Sequence, residues 1–75
     1  MPGEQDLLRE AQRFLKDHYG EDTVSMDTTD NSVDDNGNGV LSVDCTVSVH
    51  GQQSDWHKKF TFRDGNAISM DWRRR

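Results

Sequence analysis

Seventy-five residues with a net charge of −5 make one small acidic domain spanning 1–75, too short to hold a second interior. The one cysteine, Cys45, has no disulfide partner in the chain, and no Cys/His cluster has structural-zinc spacing, so packing alone has to hold the fold. Residues 17–55 contain nine Asp/Glu and no Lys or Arg, a distribution that repels phosphate and attracts cations or basic protein surfaces.

Residues 1–6 hold neither a basic segment nor an apolar run, so no secretion signal is expected, and no segment approaches the length of a membrane span. With the lone thiol, this points to the cytoplasm. Leu7, Leu8, Ala11, Phe14, Leu15, His18 and Tyr19 then recur at helical spacing, predicting an amphipathic helix over about 4–19. Glu4 and Asp6 suit the positive end of its dipole, and Gly20 follows the last stripe residue as a stop.

Thr23-Val24-Ser25-Met26 alternates like a strand with Val24 and Met26 inward. Pairing Met26 with Val47 would set Thr28 by Cys45 and Asp30 by Val43, so the inward face turns polar. The strand is then expected to fray near residue 29 or to line an open part of the sheet with Asp30, Thr28 and Ser32. Residues 30–39 would form a long loop.

From Gly39 the period becomes two. Leu41, Val43, Cys45, Val47 and Val49 form one inward set, Trp56, Lys58, Phe60 and Phe62 a second, and Ile68, Met70 and Trp72 a third. Turn formers separate them at 51–54 and 64–66. Matching inward residues predicts Val49 opposite Trp56, Val47 by Lys58, Cys45 by Phe60 and Val43 by Phe62. In the last hairpin it predicts Phe62 by Ile68, Phe60 by Met70, Lys58 by Trp72 and Lys59 by Asp71. Lys58 alone breaks the inward pattern and is expected to snorkel past Trp56 or Trp72 at the rim. The fold class is α+β, one N-terminal helix on a three- to four-stranded antiparallel meander. In element order this resembles the cystatin-type arrangement.

Asp34-Asp35-Asn36-Gly37-Asn38-Gly39-Val40-Leu41 matches the first half of a calcium loop, with Asp34, Asn36 and Asn38 at alternate positions and glycine sixth. The twelfth position, where a bidentate Glu belongs, is Cys45, and a strand follows where a helix should. A tight turn explains the same residues. His50 and His57 flank Asp55 but lack a third strong ligand. In the matched register His50 lies opposite Asp55 and His57 opposite Ser48. Cys45 reads as a buried small hydrophobe, not a nucleophile. No nucleophile elbow or phosphate loop occurs, so no enzymatic activity is expected. Arg73-Arg74-Arg75 is too short a basic run on an acidic chain to imply nucleic-acid or membrane binding.

These residues predict a non-enzymatic protein-binding module, such as a small acidic inhibitor, engaging a basic protein through Asp27, Asp30, Asp34, Asp35 and Asp44. No cofactor is expected under that reading. The alternative is a calcium-binding domain using Asp34, Asn36 and Asn38. A sheet edge could also pair two copies into a homodimer.

Overall fold

The apolar stripe and its flanking charges form helix α1 (Glu4–Tyr19) in the computed structural model, which describes residues 3–75. Leu7, Ala11, Phe14 and Leu15 are buried, whereas Tyr19 at the end of the stripe is half exposed. The first turn is closed by Asp6, whose Oδ2 accepts from the Gly3 N–H at 3.3 Å. At the other end the Gly20 N–H donates to Lys16 O at 3.0 Å and the Glu21 N–H to Leu15 O at 3.2 Å, a glycine-terminated stop that satisfies the last carbonyls. This stop fixes where Glu21 enters the sheet.

Four strands follow: β1 (Asp22–Asn31), β2 (Gly39–Val49), β3 (Gln52–Arg63) and β4 (Asn66–Arg74). They form one antiparallel sheet in the order β1-β2-β3-β4. The helix covers one face. Leu41, Val43, Cys45 and Val47 of β2 and Phe60 and Phe62 of β3 are buried beneath it, with Phe14 edge-on to Phe60 at 6.1 Å between ring centres. Burying each large side chain of this cluster contributes about 1.5–3 kcal/mol. The uncovered face carries Asp44, Thr46, His57 and Lys59, the polar half of each period-two strand.

The turns correct the β2–β3 register. His50 and Gly51, with φ of 53° and 79°, make a two-residue hairpin turn, so the strands close four residues tighter than hydrophobic matching predicts. Val49 faces Gln52, Cys45 faces Trp56, Val43 faces Lys58, and Leu41 faces Phe60. A slip of an even number leaves every side chain on its expected face, which is why hydrophobic matching could not detect it. The predicted 51–54 turn is therefore mostly strand.

The β3–β4 hairpin turns at Asp64-Gly65 and has the predicted pairs Lys58–Trp72, Lys59–Asp71 and Phe60–Met70. A bulge at Ile68 then places Ala67, not Ile68, opposite Phe62; Ala67 is buried and Ile68 is half exposed.

Strand β1 is longer and less regular than expected. It does not fray near residue 29 but pairs through Asn31, with register shifts between Thr23 and Ser25 and between Thr28 and Asp30. Val24 is consequently exposed instead of inward, Met26 faces Cys45 instead of Val47, and Thr28 faces Val43. Asp30 faces Ser42, so it lies on the opposite side of the sheet from Thr28, and the polar pocket with Thr28 and Ser32 does not form. Ser32 instead donates its hydroxyl to Val40 O at 3.1 Å.

The loop between β1 and β2 folds onto the β3–β4 turn. Gly37 O accepts from the Gly65 N–H at 3.0 Å, and Asn38 Oδ1 accepts from the Asp64 N–H at 3.0 Å. A Cβ on Gly37 would sit 2.2 Å from Gly65 N, and the φ of 83° already disfavours any other residue, so glycine is required at this close approach.

Candidate functional site

The five carboxylates expected to bind a partner fall into two groups. Asp27 and Asp30 stand on β1, an edge strand, and Asp34 and Asp35 on the loop that follows it; all four are exposed. Among the described residues no Lys, Arg or His lies within ion-pair distance of any of them. Elsewhere most acids are neutralised: Glu10 and Asp17 by Arg13, Asp22 by Lys16, Glu21 by Lys58. The β1 side is therefore an open anionic stripe, and the sheet register sharpens it. Asp27 lies directly opposite Asp44, a like-charge cross-strand pair that costs stability.

Asp44 belongs to a different environment, the centre of the uncovered sheet face. Its Oδ1 accepts from His57 Nδ1 at 2.8 Å, and Arg75 stands 3.7 Å from its Oδ2. The His57 hydrogen bond, followed by the charges of Arg75, His57 and Arg73, holds the Asp44 carboxyl below its ordinary range. Next to it Thr46 donates to Asp55 Oδ1 at 2.6 Å, and Asp55 also faces Arg75 at 3.8 Å. Asp44 is thus an internally satisfied group. His57 lies opposite Asp44, not Ser48, and His50 occupies the turn instead of facing Asp55. Both corrections follow from the four-residue register change. The two histidines do not share a site.

A third feature escaped the reading of the sequence. Lys58 does not snorkel outward; it is only 2% exposed, and its Nζ donates to Glu21 Oε1 at 3.0 Å. Its ammonium also sits 5.1 Å from the Trp56 ring centre and 5.8 Å from that of Tyr19. Around this pair Tyr19, Glu21, Trp56, Lys58, Met70 and Trp72 line a cleft of about 220 Å³ where the helix ends and the sheet continues. A lone Lys in an inward register was the available signal. Its partner could not be named without knowing where the helix stop delivers Glu21.

The residues considered for calcium form a closed turn. Asp34 Oδ1 accepts from the Asn36 and Asn38 N–H groups at 2.9 and 3.0 Å, and Asn38 Oδ1 is taken up by Asp64 N–H. These oxygens hold the backbone together, the usual work of Asp and Asn in turns. Among the described residues no three His, Cys, Asp or Glu side chains are grouped so as to hold a metal ion.

Cys45 is fully buried between Met26 and Trp56, and burial pushes its thiol up, the opposite of nucleophile activation. No helix among the described residues is long and apolar enough to cross a membrane. No family model, curated protein or solved structure matches this chain.

Proposed function

We propose that this chain is a non-enzymatic binding module, a small acidic inhibitor or adaptor whose β1 edge and following loop engage a basic protein surface. The observation that supports this reading is the row Asp27, Asp30, Asp34 and Asp35, exposed on one side with no Lys, Arg or His of the described residues within ion-pair distance. Exposed charges of one sign accelerate encounter with an oppositely charged partner and set its orientation. The like-charge contact of Asp27 with Asp44 works against folding and is relieved when a Lys or Arg of a partner arrives. Asp44 contributes from its place beside His57, as a secondary contact. A lone buried thiol suits a reducing compartment, and the proposal places the protein in the cytoplasm.

The test compares the wild-type chain with a variant carrying Asp30→Asn, Asp34→Asn and Asp35→Asn as baits in native lysate. A basic protein held by the wild type, lost with the variant and released by rising salt is the expected result. A partner retained equally by both baits would end this reading.

A further inference from the structure

We infer that the opposite edge, β4, is a self-complementary surface through which two copies join in an antiparallel two-fold dimer, making one continuous eight-stranded sheet. This surface is separate from the acidic β1 edge, so either can fail without the other.

An edge strand presents unpaired N–H and C=O groups, and the two edges of this sheet present them differently. Two register shifts interrupt β1. On β4 the pairing with β3 runs without a shift from Ser69 to Arg74. The Arg75 N–H donates to Asp55 O at 3.1 Å, so Arg75 points its backbone groups toward β3. Alternation along an antiparallel ladder gives Arg73 and Asp71 the same sense, leaving the backbone groups of Met70, Trp72 and Arg74 directed away from the sheet. A strand added there has to pair with those three residues.

Charge then selects one register for a second copy. With the two-fold axis at Trp72, Trp72 pairs with Trp72 of the second copy, Met70 with Arg74, and Asp71 with Arg73. The last contact occurs twice and joins opposite charges across the strands. Moving the axis by one residue in either direction brings Asp71 against Asp71 or Arg73 against Arg73. Within one copy, Asp71 and Arg73 have no ion-pair partner among the described residues, whereas the other two arginines of the edge are engaged. Arg74 lies 4.8 Å from the Trp56 ring centre, and Arg75 is beside Asp44 and Asp55.

The apolar residues agree with this register. Trp72 is 60% exposed, its ring edge-on to Trp56 at 5.1 Å, and it borders the Lys58 cleft. The two-fold axis brings both Trp72 side chains and both clefts together on the helix-bearing face. Cyclic two-fold dimers with such self-matching patches are the commonest soluble assembly.

Sedimentation equilibrium over a concentration series tests the proposal, with Trp emission followed in parallel. The wild type should reach twice the chain mass, with an emission change tracking dimer formation. Asp71→Arg alone, or Arg73→Asp alone, should weaken association about tenfold or more, because each places like charges at both symmetric contacts. Asp71→Arg combined with Arg73→Asp restores the complementarity within each copy and should return association to near the wild-type level. A wild type that stays monomeric throughout would overturn the proposal. So would a dimer that neither single reversal weakens, or single reversals whose loss the double variant does not recover.

Discussion

The two edges of this sheet solve the same problem in opposite ways. Strand β1 is acidic, bulged twice and edged by a loop, features that discourage another strand from pairing with it. Strand β4 is basic at its end and regular from Ser69 onward, with Trp72 exposed. They are also anchored differently. Glu21 ties the start of β1 to Lys58 in the interior, whereas Glu10 on the helix ties β4 by accepting the Ala67 N–H at 2.9 Å. One edge is suited to charged surfaces and the other to a matching strand, and each is tied at its start by a partly buried carboxylate.

The largest effect should come from removing the β1 anchor. Glu21→Ala leaves the Lys58 ammonium buried without its partner and should cost about 3–5 kcal/mol in urea unfolding. Adding Lys58→Met should recover most of that loss. If the double variant is no more stable than Glu21→Ala alone, the pair does not act as a unit.

Loosening the β4 anchor should cost less. Arg13, first, and the Ala67 N–H hold the Glu10 carboxyl below its usual range against the opposing effect of burial. A carboxyl depressed in the fold adds stability above the unfolded value of about 4.3 and loses it as pH falls through the lower native value. Glu10→Gln should cost about 1–2 kcal/mol at neutral pH and flatten the acid side of the stability curve. Asp44, also depressed, should retain its own share of that acid limb in the variant. A curve with unchanged slope would remove Glu10 as the β4 anchor.

Within β1, Thr23 and Thr28 bury hydroxyls that have no hydrogen-bond partner among the described residues. Thr28→Val keeps the shape and should raise stability by about 1 kcal/mol, measured by thermal melting. The smallest change is Asp27→Asn, which removes the like-charge contact with Asp44. It should stabilise by about 0.2–1 kcal/mol in low salt and less in high salt. If the same substitution weakens capture of the basic partner, one residue carries both the cost to folding and the gain in binding.

Periodicity in the sequence was enough for the helix, for the faces of β2 and β3 and for most of the β3–β4 register, because Leu41 to Val49 alternate without interruption and Trp56 to Phe62 alternate with Lys58 as the single exception. It failed where backbone conformation outranked side-chain matching. His50-Gly51 is not one of the Asn-Gly, Asp-Gly or Gly-Gly pairs that mark a two-residue hairpin, so the sequence carries no strong signal for this turn and the β2–β3 pairing shifts by four. The three bulged sites, near Val24, Thr29 and Ile68, each reversed a predicted orientation. Of the candidate site, the acids on β1 and its loop were legible as a cation-free stretch. The Asp44–His57 contact and the Lys58–Glu21 pair were not, since both depend on register and on where the helix delivers the chain.

Because every strand lies beside its neighbour in sequence, the sheet can assemble by successive local zippering from the β2–β3 hairpin outward. The remote closures, Glu10 with Ala67 and Gly37 with Gly65, join chain segments far apart in sequence and are expected to form last. Native-state hydrogen exchange should therefore show amides of Val43, Cys45 and Phe60 opening only with the whole molecule. Both outer strands should open in smaller excursions, so the surfaces proposed for recognition should also be those that the chain exposes most often.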